Sequence, residues 1–172
     1  MESKTTARNW YVAYTLPNAE KSIYRRLIKM QIISYLPLQE ITRTWGDRKV
    51  EISIPLFPNY IFVYSSHSER YEALDAKGMI KFVSFNGKPA IIKDDQIEAI
   101  KKMLSGEVEV LTNTSITPGS RVKIMAGPLS GVVGTIERRN GRSRLIVRIE
   151  CLNRAVSVKL SEDAIAYCVG DL

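Results

Sequence analysis

The chain has 172 residues, 45% of them hydrophobic and 25% charged, and a net charge of +7 at pH 7. That is a globular composition with room for one full domain or two small ones, and it excludes a mostly disordered chain. No apolar run approaches the roughly 18–20 residues that span a bilayer. Only two cysteines (Cys151, Cys168) and one histidine (His67) are present. They exclude a disulfide framework, a closed zinc site and a multi-histidine metal centre, and predict a reduced, cytoplasmic protein.

In chain order, residues 10–15 read as a short apolar strand, stopped at Pro17 and Asn18, with Asn18 as the candidate helix N-cap. A helical period follows from Ala19. Ile23, Leu27 and Met30 lie on one face, broadened by Tyr24 and Ile28, and Lys21, Arg25, Arg26 and Lys29 fall mostly on the other. Residues 34–44, interrupted by Pro37, and 50–54 read as strands turned by Gly46 and Asp47. The continuous apolar run at 60–64 reads as a central strand. A short helix is predicted over 69–77, ended by Gly78. A strand follows over 80–85, turned by Asn86-Gly87, and then a helix from Asp94 with Ile97, Ile100 and Leu104 inward. The order β-α-β-β-β-α-β-α predicts an α+β domain, an antiparallel sheet with flanking helices.

Residues 105–117 lack periodicity and read as a linker. The remainder is strand-rich, with segments at 121–125, 132–137, 145–150 and 155–160 separated by Gly and Asn. Such short strands predict a small SH3-like β-barrel, because closure removes exposed edges. Gly119, Gly127-Pro128, Gly131 and Gly134 are expected at its turns, the last two with positive φ. Between 118 and 160 there are nine basic residues and only Glu137 and Glu150 as acids. Arg138, Arg139, Arg142 and Arg144 crowd around Asn140-Gly141, a hairpin signal. They are expected near one tip, either as a solvated end or as contacts to phosphate.

No phosphate-binding Gly-Lys-Ser/Thr loop, metal-ligand cluster or Ser or Cys nucleophile with a histidine partner is evident. Asp94-Asp95 is explained by a helix start, so no catalytic, cofactor or metal residues are expected and the chain is not read as an enzyme. The basic balance favours a polyanionic partner.

Two motifs stand out: PLFPNYIFV at 55–63 and PGSRVKIMAGPLSGVVGTI at 118–136. The glycine-rich motif at 118–136 resembles a KOW motif. Together with Trp10-Tyr11-Val12 upstream and KFVSFNGKPAII at 81–92, the two resemble the NusG family of transcription factors, over nearly the whole chain. The resemblance implies an N-terminal NusG domain at 1–104, a linker at 105–117 and a KOW barrel at 118–172. FPNYIFV and FVSFNGKPAII are more similar to the specialised paralogues, the RfaH type and UpxY-like antiterminators of capsule operons, since a general NusG usually has Gly where Asn59 stands. Unlike RfaH, the Gly- and Val-rich C-terminal part is expected to be a permanent barrel.

The implied function is antitermination or elongation control on a polysaccharide-type operon. The alternatives are a general NusG role or an RNA- or ribosome-binding KOW protein. The implied partners are the clamp helices of the RNA polymerase largest subunit, the non-template DNA strand, and ribosomal protein S10 or Rho through the barrel, with a monomeric chain and no membrane. By position, the polymerase-binding residues are Trp10, Phe57, Pro58, Tyr60 and Phe82. The nucleic-acid contacts are Arg25, Arg26 and Lys29. The tip arginines Arg138, Arg139, Arg142 and Arg144 would meet a barrel partner or RNA, and residues 65–68 would meet the polymerase jaw.

Overall fold

A computed structural model describes residues 7–105, 119–124, 130–139, 142–149, 152, 154–159 and 166–168. The expected linker from 106 on, Gly127-Pro128 and Asn140-Gly141 lie outside the described residues. The chain divides into two units, Met1–Lys93 and Asp94–Leu172.

In the first unit, β1 (Asn9–Thr15) leads into α1 (Glu20–Lys29), then β2 (Ile33–Tyr35), β3 (Leu38–Trp45), β4 (Arg48–Pro55) and β5 (Tyr60–Ser65). After α2 (His67–Ala73) come four short strands: β6 (Met79–Phe82), β7 (Ser84–Phe85), β8 (Lys88–Pro89) and β9 (Ile91–Ile92). The main sheet is antiparallel in the order β2-β5-β1-β6, and β9 also pairs with β1. The run at 60–64 is therefore the inner strand its apolar composition predicts, flanked by β1 and β2.

Strand alternation gives this sheet two different faces. Tyr11 and Ala13 of β1, with Ile61 and Val63 of β5, join Ile23 and Leu27 of α1 and Ala73 of α2 in one buried cluster. The opposite face carries Trp10, Val12 and Tyr14 against Tyr64, Phe62 and Tyr60, residue for residue.

Asn18 does not cap α1. It sits at φ 60, a left-handed turn position, and Ala19 takes the cap place without a side-chain hydrogen bond. A short polar side chain tolerates that turn, so the signal read as a cap marks the bend before it. The helix ends with Gln31 at φ 60, the Gln31 N–H bonded to the Ile28 carbonyl and the Ile32 N–H to the Leu27 carbonyl. This is a Schellman closure with glutamine in the usual glycine place. Ile23 and Leu27 are buried as expected, whereas Met30 and Ile28 are exposed at the helix end.

α2 starts two residues before the predicted helix and ends four before its predicted end. Ser66 caps it, and Glu69 reaches back to the Ser66 N–H in a complete capping box. The predicted strand at 80–85 is interrupted at Val83, whose N–H donates to the Val12 carbonyl. β7 and β8 then form a separate hairpin, with Asn86 at φ 49 and Gly87 at φ 75.

The second unit begins with α3 (Asp94–Leu104), which buries Ile97, Ala99, Ile100 and Met103. Met103, rather than Leu104, takes the last inward place. β10 (Arg121–Ile124), β11 (Val133–Arg139), β12 (Arg142–Ile149), β13 (Arg154–Lys159) and β14 (Ala166–Cys168) form one antiparallel sheet in the order β13-β12-β11-β10-β14. The last strand returns beside the first, the barrel-like arrangement expected of the KOW segment. Val122, Ile124, Ile136, Leu145, Val147, Ile149 and Val156 are buried in it. Gly134 is needed for space rather than for a positive φ: a Cβ there would lie 2.6 Å from the Ile146 carbonyl oxygen. The architecture is α+β throughout, with an antiparallel sheet and flanking helices followed by small barrel strands.

Candidate interaction surfaces

The face of the main sheet opposite the α1–α2 cluster is an aromatic array. Ring centroids lie 5.2 Å apart for Trp10 and Tyr64, 5.4 Å for Tyr14 and Tyr60, and 6.2 Å for Tyr35 and Phe62. The register sets these pairs. Trp10 is opposite Tyr64, Tyr14 opposite Tyr60 and Tyr35 opposite Phe62. Phe62 is fully buried, and Trp10, Tyr14, Tyr35, Tyr60 and Tyr64 are half-buried. Half-buried aromatics with polar tips provide large contact area at low entropic cost, the composition of binding hot spots.

The structure separates the five residues expected to bind polymerase. Trp10 and Tyr60 stand in the aromatic array, and Pro58 is exposed in the turn entering β5. Phe57 is 4% exposed and meets Phe62 edge-on, with centroids 5.7 Å apart. Phe82 is 9% exposed and belongs to the helix-side cluster, edge-on to Tyr11. Phe57 and Phe82 therefore offer little free surface. Tyr14, Tyr35 and Tyr64 complete the array and were not singled out in the sequence. For Tyr14 and Tyr64 the signal was there, in their alternation parity with Trp10 and Tyr60 on their own strands, but only the strand register shows which parities meet, and Tyr35 joins solely through its pairing with Phe62.

The turn at Pro58 and Asn59 is anchored to α1. Glu20 is 4% exposed, and its Oε1 accepts the Asn59 N–H at 2.7 Å. Asn59 itself is left-handed, at φ 69. The Thr15 N–H donates to the Asn59 carbonyl and the Tyr60 N–H to the Phe57 carbonyl. The first turn of α1 thus fixes the backbone that presents Pro58 and Tyr60.

α1 turns its other face to solvent. Lys21, Arg25, Arg26 and Lys29 are all exposed. Arg25 Nε donates to the Lys21 carbonyl at 3.3 Å and Arg26 Nε to Ser22 Oγ at 3.4 Å, while Lys21 Nζ reaches the Ser53 carbonyl of β4. Arg25 and Arg26 each lie about one turn from Lys29, and three such exposed cations can hold phosphates without reading sequence.

The tip arginines are divided by register. Arg139 is opposite Arg142, and Glu137 is opposite Arg144. These pairs share one face of the ribbon, and the Arg138 and Ser143 positions lie on the other. Arg144 is half-buried and donates to Ser157 Oγ at 2.9 Å, and Arg148 lies 3.9 Å from Glu137. At residues 65–68, Ser65 is buried at the end of β5, while Ser66 and His67 form the start of α2. Among the described residues, no group of three or more His, Cys, Asp or Glu could hold a metal, and no helix is long and apolar enough to cross a membrane.

A two-faced sheet with an aromatic array, a basic helix and a barrel-like second unit can be compared with known proteins. The family model described as transcription termination factor NusG matches residues 8–101, more than half of the chain. The chain belongs to the NusG family. Two curated relatives are both called transcription termination/antitermination protein NusG. That of Rickettsia prowazekii is 24% identical and that of Rickettsia felis 23%, each match covering 92% of this chain and 90% of the relative. A solved structure of Thermotoga maritima NusG, described by its domain interaction, matches with a TM-score of 0.54 at 20% identity. It covers 88% of this chain and 93% of that one, a likeness of fold. The NusG-family match runs from β1 into α3, so it contains the aromatic array, the Glu20-anchored turn and the basic helix. The chain is accordingly a transcription elongation and termination factor of a non-enzymatic family.

Proposed function

We propose that this NusG-family protein docks on RNA polymerase through the aromatic face of its main sheet and holds the non-template DNA strand with α1, suppressing pausing or termination. The observation that carries the reading is the half-exposed set Trp10, Tyr14, Tyr60 and Tyr64 beside Pro58, on a turn locked by Glu20. The fitting partner is an apolar helical pair, the clamp helices of the largest subunit. Phe57 backs the turn from inside, and Phe82 supports the sheet from its helix side. Arg25, Arg26 and Lys29 supply phosphate contacts. The domain extends to residue 104, the linker covers 105–117 and the KOW barrel 118–172. The barrel, with the positions Arg138, Arg139, Arg142 and Arg144 near one end, is the part that recruits ribosomal protein S10 or Rho, and residues 65–68 face the polymerase jaw.

The specialised, RfaH- and UpxY-like reading rests on Asn59 in the PLFPNYIFV motif. It adopts the left-handed conformation, at φ 69, at the position where, by the resemblance, a general NusG usually has glycine. The favoured service is therefore one long operon of the polysaccharide type. The name of the Rickettsia relatives favours the general role as the alternative reading.

Run-off transcription on a long template with purified bacterial polymerase tests the proposal. Wild type is expected to shorten pauses, and Tyr60→Ala to abolish the effect and weaken polymerase binding by about 30-fold, the scale of a 2 kcal/mol hot spot. Absence of polymerase binding by the wild-type chain would overturn it.

A further inference from the structure

β3 and β4 form a two-stranded ribbon of their own, paired from Leu38–Pro55 at its base to Trp45–Arg48 at its tip. Eight residues on each strand, at about 3.3 Å each, make it roughly 25 Å long. The register sorts its side chains sharply. Gln39, Ile41, Arg43 and Trp45, with Arg48, Val50, Ile52 and Ile54, occupy one face. The other face carries Glu40 and Glu51, together with Thr42, Thr44, Lys49 and Ser53. The first face thus has two arginines, a tryptophan and no carboxylate, while both glutamates of the strands lie behind it.

Trp45 is 79% exposed, the most exposed large hydrophobic residue among those described, and Arg43, Arg48 and Val50 around it are also exposed. Nothing in strand pairing requires an indole there. A tip residue that neither packs a core nor closes a turn would normally be polar. An exposed indole with Arg48 opposite it and Arg43 two residues before it on the same face matches a nucleobase with its adjoining phosphates: stacking supplies sequence-tolerant affinity, and the arginines supply charge complementarity.

We propose that this face of the ribbon is a second nucleic-acid contact, taking single-stranded DNA or RNA by stacking a base on Trp45 and holding the adjoining phosphates with Arg43 and Arg48. The contact is separate from α1 and does not depend on polymerase docking.

The experiment titrates the full-length chain against labelled oligothymidylate and oligouridylate, following anisotropy and tryptophan fluorescence. The comparison of the two oligomers distinguishes DNA from RNA as the source of the strand. Trp45→Ala is expected to weaken binding of the preferred oligomer about ten-fold, the effect of losing one stacked base, and to remove the fluorescence quenching. Trp45→Phe, which keeps a ring, is expected to retain most of the affinity. Arg48→Ala and Lys49→Ala change net charge equally but on opposite faces, so Arg48→Ala is expected to weaken binding several-fold more. Equal losses at 48 and 49 would reduce the effect to general charge and overturn the proposal. So would a Trp45→Phe variant as weak as Trp45→Ala. A Trp45→Ala chain that binds both oligomers normally but co-elutes less with polymerase would assign the face to a protein and overturn it as well.

Discussion

Two carboxylates of the first unit hold backbone N–H groups that neither a helix nor a strand satisfies. Glu69 accepts the Ser66 N–H at 2.8 Å and pairs with Arg8 through both its oxygens. Its carboxyl is held below the ordinary value of 4.5, first by the Ser66 backbone bond and then by Arg8. A value lowered by folding means that the folded state favours the ionised form. Its stabilisation is whole above pH 4.5 and is lost as pH falls through the lowered folded value. Thermal melts should therefore show Glu69→Gln less stable than wild type at neutral pH, by about 1 kcal/mol or less for so exposed a pair. The gap should close as pH falls through that lowered folded value. Glu20 does the corresponding work at Asn59, but buried. Asn59→Ala places a Cβ-bearing residue without a local polar side chain in the left-handed region, so a loss of about 1 kcal/mol is expected in chemical denaturation, with Asn59→Gly close to wild type. An equal loss for both would mean that the Asn side chain, rather than φ, governs the turn.

At the scale of elements, the legible parts were those whose pattern is local. β1 and β5 were visible as apolar runs, the β3–β4 ribbon through Gly46-Asp47, and the buried stripe of α1 through Ile23 and Leu27. The parts that escaped depend on pairing across the chain. Val83 ends the run along β1 with its N–H on the Val12 carbonyl and its own carbonyl taken by the Ala90 N–H, partners that no window of sequence reveals. Tyr14 and Tyr64 belong to the aromatic array because β1 and β5 pair in one particular register. Phe57 and Phe82 resembled surface anchors because a short aromatic motif carries no statement of which side of the sheet it faces. Gly134 was legible as a required glycine but for the wrong reason, since its neighbour Ile146 comes from the next strand. That contact gives a prediction. Gly134→Ala forces the β11–β12 backbones apart and should cost about 1–3 kcal/mol. The loss should appear in hydrogen exchange of the second-unit strands and not in β1 and β5.

At the scale of the whole molecule, the proposed function requires two kinds of contact that answer differently to salt. The aromatic face buries uncharged rings, so polymerase affinity through it should depend weakly on ionic strength. α1 contributes Arg25, Arg26 and Lys29, and each phosphate neutralised on a single strand adds about 0.7 to the slope of log affinity against log salt. Replacing all three with alanine should flatten that slope by about 2 and weaken single-strand binding most at low salt. The same triple variant should leave binding to an isolated clamp-helix fragment unchanged, and Tyr60→Ala should do the reverse. If instead Tyr60→Ala lowered both affinities together, the two surfaces would act as one site. If the triple variant kept the full slope, the cations that meet the strand would lie elsewhere, with Arg43 and Arg48 of the ribbon the next to replace.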